Sequence, residues 1–204
     1  MSYKFFIFSG FAALSFAIFS CNGGSSSSQN PDLAGFEVSN YSGNIQKATK
    51  KDSTSSFVVE DGYVQNGKKV GSWIVYYPSG MPKKLLTYVD GNLVGIFLEY
   101  NDKGQLETRG FYKDGKLNGS VLKFRYAQVM EDMPYSDGKL NGVYKKFYLN
   151  SKIQTIAYYK NGVQDGKYQF FTEEGTMTMD YDYKNGEKVG GGPVSVPNAA
   201  PKFN

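Results

Sequence analysis

Histidine is absent from the 204 residues. That removes the commonest general base, proton shuttle and imidazole metal ligand, and it excludes nucleophile activation of the Ser-His or Cys-His kind. Cysteine occurs once, at Cys21, so neither an internal disulfide nor a thiolate zinc site can staple the chain. Arginine is confined to Arg109 and Arg125, and the lysines fall in small groups such as Lys68 with Lys69 and Lys145 with Lys146. A net charge of +4 without a concentrated basic stripe does not make a nucleic-acid footprint; solvated lysines guarding turns and sheet edges fit it better. No segment carries a sustained helical stripe of apolar residues. The expectation from what is missing is a protein that is not an enzyme and takes no metal, other cofactor or nucleic acid.

What the chain has in quantity is glycine and aromatic rings, with 24 glycines, 17 tyrosines and 15 phenylalanines. Six Asp-Gly or Asn-Gly pairs end at Gly67, Gly91, Gly115, Gly138, Gly162 and Gly186, and each is followed four residues later by a second glycine, at Gly71, Gly95, Gly119, Gly142, Gly166 and Gly190. Successive pairs stand 24 residues apart, except that the step from Gly115 to Gly138 is one residue short. Self-similarity at such a period marks stacked supersecondary units. The segments between glycines are rich in tyrosine, phenylalanine and valine, which favours strands, while Asx-Gly pairs tolerate the positive φ of tight hairpin turns. Each unit therefore reads as a hairpin, with far-end turns at Pro78-Ser79-Gly80, Asp102-Lys103-Gly104 and Glu173-Glu174-Gly175. All twelve glycines are expected to be structural turn residues, and the fold all-β, built of about five antiparallel hairpins.

Three aromatic ladders emerge when the units are aligned on the second glycine. One holds Tyr76, Tyr100, Phe124, Phe147 and Phe171; a second holds Tyr88, Tyr112, Tyr135, Tyr159 and Tyr183; a third holds Trp73, Phe97, Val121, Tyr144 and Tyr168. The first and third lie three residues apart, so an unbulged strand presents them on opposite faces. A single-layer sheet cannot hide both faces, which makes Trp73, Tyr76, Phe97, Tyr100, Phe124, Tyr144, Phe147, Tyr168 and Phe171 a candidate interaction face. The competing reading is that the ladders serve only as the core between repeats.

The run Gly71-Ser72-Trp73-Ile74-Val75-Tyr76-Tyr77-Pro78-Ser79-Gly80, with Tyr88 and Asp90-Gly91 after it, resembles the bacterial variant of the MORN repeat. Its usual pattern is glycine, any residue, tryptophan, two residues, paired aromatics and a turn glycine. The resemblance spans roughly residues 55 to 192 and implies an elongated β-meander used for protein binding or scaffolding. Many bacterial members carry an antitoxin label, which makes toxin neutralisation by direct binding the alternative function. The third unit departs from the pattern: it is the short one, has Tyr126-Ala127-Gln128 where a turn glycine is expected, and carries Pro134 in its second strand, so a bulge or bend is expected there.

At the amino terminus, Lys4 precedes a run from Phe5 to Phe19 that is apolar apart from Ser9, Gly10 and Ser15, with the charged start and short apolar middle of an export signal. Its close, Ile18-Phe19-Ser20-Cys21, resembles the lipobox of bacterial lipoproteins. That resemblance implies a signal peptide over residues 1–20, cleavage before Cys21, lipidation of its thiol and acylation (palmitate-type) of the new amino terminus, giving a firm membrane anchor. Asn22 is not the aspartate that retains some lipoproteins in the inner membrane, so an outer-membrane site in the cell envelope is expected, with the domain facing the periplasm or the exterior. Residues 21–54 read as a flexible Ser/Gly-rich tether reaching on the order of 30 Å, residues 55–192 as the repeat domain and residues 193–204 as a disordered tail. Phe57-Val58-Val59 is expected to add a strand at the amino-terminal edge. The expected partners are the membrane, through the lipid, and another protein or an envelope polymer.

Other chemistry is thin. Glu131-Asp132, Glu173-Glu174 and Asp180 with Asp182 are carboxylate clusters without convergent geometry, and Asp180 to Gly186 fails as a calcium loop because its fifth position is lysine. Asp52-Ser53-Thr54, in the linker, resembles an O-glycosylation tripeptide of some exported bacterial proteins.

Overall fold

A computed structural model describes residues 33–195. The signal segment, Cys21 and residues 196–204 lie outside them. The described chain is a single antiparallel sheet of 17 strands, a meander in which successive long strands pair and three two-residue strands pair only with the long strand before them. The strands are β1 (Phe36–Ser42), β2 (Ile45–Lys51), β3 (Val58–Gln65), β4 (Lys68–Tyr76), β5 (Pro82–Val89), β6 (Asn92–Leu93), β7 (Gly95–Tyr100), β8 (Leu106–Lys113) and β9 (Lys116–Leu117). They continue as β10 (Gly119–Arg125), β11 (Gln128–Ser136), β12 (Lys139–Leu140), β13 (Gly142–Phe147), β14 (Ile153–Lys160), β15 (Val163–Phe171), β16 (Met177–Lys184) and β17 (Glu187–Pro193).

The Asx-Gly pairs are two-residue hairpin turns. Asn66, Asp90, Asp114, Asp137, Asn161 and Asn185 all sit at φ between 49 and 52°, and the glycine after each is also at positive φ. Two consecutive left-handed residues match the twist of the flanking strands, and Asx-Gly is the pair that adopts them most readily. The last five turns also tie their unit to the one before. The glycine N–H groups of Gly91, Gly115, Gly138, Gly162 and Gly186 donate to the carbonyls of Lys69, Leu93, Leu117, Leu140 and Gln164 at 2.8–2.9 Å. The 24-residue period is thus the spacing of a repeated inter-unit hydrogen bond.

The second glycines are not turns. They sit at bulges within a strand or at the start of one; β4 spends four steps, from Val70 to Ile74, against the two steps of β3 from Asp61 to Tyr63. Gly71 adopts φ 65° there, and Gly95, Gly119, Gly142 and Gly166 are likewise positive. The last unit differs, because the positive φ falls on Gly191 rather than Gly190.

Residues 36–51 correct the flexible-tether expectation: they form β1 and β2, and β2 pairs antiparallel with both β1 and β3. Their lysines disguise a strand whose alternation places Ala48 in the core, where it is fully buried, and the Phe36 ring packs edge-on to Trp73 at 5.5 Å. The amino-terminal edge strand of the described residues is therefore β1, not the segment at Phe57-Val58-Val59. At the other end Pro193 closes β17 and the Val194 N–H bonds the Thr178 carbonyl at 2.9 Å, so the start of the expected tail belongs to the sheet. Asp52-Ser53-Thr54 lies in the β2–β3 loop; the Asp52 carboxylate accepts the hydroxyls of Thr54 and Ser55 and their backbone N–H groups, which holds it well below the usual carboxylate range.

Two far-end turns depart from the expected glycine chemistry. In the fourth unit Ser151 takes the left-handed position, φ 63°, that Gly80, Gly104 and Gly175 fill elsewhere. In the third, the missing residue is lost from the tip, where Tyr126 and Ala127 form a two-residue turn at φ 52 and 62° between the paired Arg125 and Gln128. Pro134 does not bend its strand. It keeps register with Ser120, and its carbonyl accepts the Asn141 N–H at 2.8 Å. The register shift of that hairpin lies at Lys123/Phe124, where the other repeat hairpins shift too.

Candidate interaction surface

The two faces of the sheet differ in kind. On the first, Trp73, Phe97, Val121, Tyr144 and Tyr168 pair directly with Leu86, Gly110, Met133, Ala157 and Tyr181. The second ladder stands two residues further along the same face, and its rings meet the third: Phe97 with Tyr112 at 4.9 Å, Tyr144 with Tyr159 at 6.3 Å, Tyr168 with Tyr183 at 6.3 Å. Aromatic pairs at such spacings add to the burial of their area. Trp73 is fully buried, with Ala48 and Val64 beside it; its indole N–H donates to the Tyr63 carbonyl at 3.0 Å and the Lys69 ammonium lies 4.0 Å above the ring. Lys69 in turn pairs with Glu60 at 2.6 Å, so the lid over the tryptophan is itself neutralised. Rows two and three are the core of the array.

Glycines under the rings make this covering possible. A side chain at Gly62 would occupy the volume of the Trp73 indole, and one at Gly110 that of the Phe97 ring. Neither glycine has a positive φ, so close approach, not backbone conformation, explains them.

The first ladder does lie on the opposite face, with its rings half-buried. The Tyr76 hydroxyl donates to Asp61 at 3.0 Å, and Asp61 pairs with Ile74 on that face. Burial, followed by the Asp61 carboxylate, pushes the Tyr76 hydroxyl up to about 12, and burial with the Glu131 charge raises Tyr144 as well. A tyrosine whose folded pKa is raised contributes stability that is complete below its unfolded pKa, near 10, and lost as pH rises through the folded value. Stability is therefore expected to fall between about pH 10 and 12, and Tyr76→Phe to flatten that fall, read by denaturant titration at stepped pH. An unchanged slope would remove Tyr76 from the account.

None of the nine residues expected to form an interaction face is fully exposed, and Trp73 and Phe97 are buried. The open face carries other apolar residues that the ladders did not reveal. Ile74, Leu85, Leu98 and Leu122 run across neighbouring strands, with the charged Arg109 between the last two, and a row nearer the Asx-Gly turns pairs Ile96 with Phe111 and Val143 with Tyr158. Ile96 is 58%, Phe111 43% and Tyr158 41% exposed. Ile74 and Leu85 of the strip, with Met81, Pro82, Tyr100 and Gly104 toward the far-end turns, line a cavity of about 300 Å³. The available signal was parity: each of these residues is the neighbour of a covered-face residue and must point the other way.

The carboxylate clusters are tied into ion pairs and hydrogen bonds. Lys167 bridges Asp180 and Asp182 at 3.3 and 3.0 Å, Glu131 meets Lys123 at 3.6 Å, and Asp132 accepts the Ser120 hydroxyl.

Three segments, residues 69–90, 93–120 and 140–161, match the family model described as the MORN repeat variant. No curated protein matches the chain. The matched segments fall on the first, second and fourth copies of the strand–turn–strand unit described above, and repeats of this family point to a repeat-based binding or scaffolding module, generally without catalysis. Between the second and third segments lie residues 121–139, which hold the short Tyr126-Ala127 turn.

Proposed function

We propose that this protein is a lipid-anchored component of a bacterial cell envelope, tethered through Cys21, that docks another protein on the open face of its sheet. The observation that carries the proposal is the exposed apolar pair of Ile96 and Phe111 beside the largely aliphatic strip from Ile74 to Leu122. Exposed apolar patches of this kind mark interaction sites, and the covered face has its rings engaged with one another. The amino-terminal charge, apolar run and single cysteine support the anchor, because they account together for the only thiol in the chain. Repeat units of the matched family support binding without chemistry.

The test is photocrosslinking in intact cells with wild type, Ile96→Lys with Phe111→Lys, and Cys21→Ala. A specific adduct formed by wild type, lost in the open-face variant while folding is retained, and diminished when Cys21→Ala frees the chain from the membrane fraction, is the expected pattern. An adduct indifferent to the open-face substitutions would overturn the docking surface; unaltered fractionation of Cys21→Ala would overturn the anchor. If the captured partner is a toxin whose effect the chain suppresses, the docking is an immunity function.

A further inference from the structure

Tyrosine straps join two of the four junctions between hairpin tips, and the junction between the second and third hairpins is not one of them. At the first junction the Tyr77 hydroxyl donates to the Tyr100 carbonyl at 2.9 Å, and at the fourth the Tyr148 hydroxyl donates to the Phe171 carbonyl at 2.8 Å. These tyrosines strap one hairpin tip to the next. The equivalent positions between them are Asn101 and Arg125; at the second junction the Asn101 side-chain oxygen instead caps its own loop by accepting the N–H groups of Lys103 and Gln105 at 3.0 and 2.9 Å. The next hairpin tip is also one residue short. With no strap and a shortened neighbour, the space between the tips opens into two adjoining cavities of about 340 and 450 Å³.

The groove has an apolar floor of Leu106, Phe124 and Ala127. Beside it Tyr126 projects from the two-residue turn, 68% exposed, with the Arg125 guanidinium 5.3 Å from its ring centroid. Tyr126 and Ala127 both hold a left-handed conformation that costs an ordinary L-residue roughly 1–2 kcal/mol. Strain of this kind persists where the position of a side chain matters. Four charged groups ring the floor: Asp102 and Glu107 against Lys103 and Arg125. None of the four is in an ion pair among the described residues, although lysines and acids elsewhere on the sheet, such as Lys69 with Glu60 and Lys84 with Glu99, are paired.

We infer that this groove is the contact surface of a homodimer, and that its occupant is the same groove of a second copy. A two-fold interface must be self-complementary, since each residue of the patch meets the patch itself. This one offers a projecting ring next to a cavity large enough to receive a ring, and two acids next to two bases, so its charge balances against its own copy. Tyr126 of each protomer fills the other's floor over Leu106 and Phe124, and Lys103 and Arg125 face the copy's Asp102 and Glu107. Aromatic and arginine anchors with a charged rim are the usual composition of a binding hot spot. The inference is independent of the open-face docking proposed above.

The test is sedimentation of the full chain in a non-ionic detergent at up to about 100 μM, a concentration that fills a dimer of micromolar affinity. Wild type is expected at twice the protomer mass. Tyr126→Gly keeps a residue suited to the left-handed turn and removes the ring, and is expected to weaken self-association at least about tenfold, or 1.4 kcal/mol, with no loss of thermal stability. Lys103→Glu with Arg125→Glu gives an all-acidic rim, and Asp102→Lys with Glu107→Lys an all-basic one. Each swapped chain alone is expected to be monomeric, and their mixture to form a heterodimer. A monomeric wild type, a Tyr126→Gly chain that dimerises as tightly as wild type, swapped chains that still self-associate, or a mixture that stays monomeric would each overturn the inference.

Discussion

Trp73→Ala is expected to remove about 3–5 kcal/mol of stability, the range for deleting a buried aromatic side chain. The indole is fully buried among Ala48, Val64, Phe36 and Tyr88, and its N–H satisfies the Tyr63 carbonyl. Removing it leaves a cavity, an unpaired carbonyl and an ammonium, that of Lys69, without its nearest ring. In a repeat array each unit leans mainly on its neighbours, so the loss falls locally. Hydrogen exchange is expected to show faster exchange in β1 to β5 with little change beyond β13, alongside a lower urea midpoint. Uniform loss of protection along the sheet would mean the array unfolds as one block, and a shift below about 1 kcal/mol would mean the tryptophan is not the anchor of the amino-terminal end.

The second large effect is expected at Gly110. A Cβ placed there lies 2.8 and 2.9 Å from Phe97 Cζ and Val121 Cγ2, inside ordinary contact distance. Gly110→Val therefore forces the Phe97 ring off the sheet, at a cost on the order of 1–3 kcal/mol for overpacking and more if the hairpin shifts. Because the clash is with a particular ring, the cost is expected to shrink when Phe97→Ala accompanies it. A double-mutant cycle on the urea midpoints reads that coupling directly. Strict additivity of the two substitutions would show that Gly110 is needed for its backbone and not for the ring it supports.

Much of this architecture was legible in the residues, and the reason is local. Asx-Gly pairs encode their turn through backbone sterics that need no tertiary context, so Asp90-Gly91 and its five relatives identified the hairpins and their period. Parity along a strand likewise separated Tyr76 from Trp73. The failures share a different cause: they depend on what lies across the sheet. Gly62 and Gly110 look like weak points in a strand until the ring that rests on each is known. The second glycines read as turns because a bulge and a turn draw on the same positive φ, and only the partner strand tells them apart. Lys47, Lys50 and Lys51 gave β2 the look of a linker, although the strand is held by Ala48 beneath Trp73 and by the ion pair of Lys47 with Asp61 at 3.1 Å. As for the candidate surface, the aromatic ladders drew attention to the rings, and most of those rings turned out to cover one another. The less conspicuous Ile96 and Phe111 were left facing out.

The hydrogen bond from each of the last five Asx-Gly turns to the preceding unit gives the molecule a fixed increment of length. Every unit contributes two strands across the sheet, and at about 4.8 Å per strand a unit advances the sheet by roughly 10 Å. Gain or loss of one unit would therefore move everything beyond it by a set step while leaving the local bonding unaltered. A chain assembled this way acts as a graduated ruler, and the separation between any two docking points on it is written in the number of units between them.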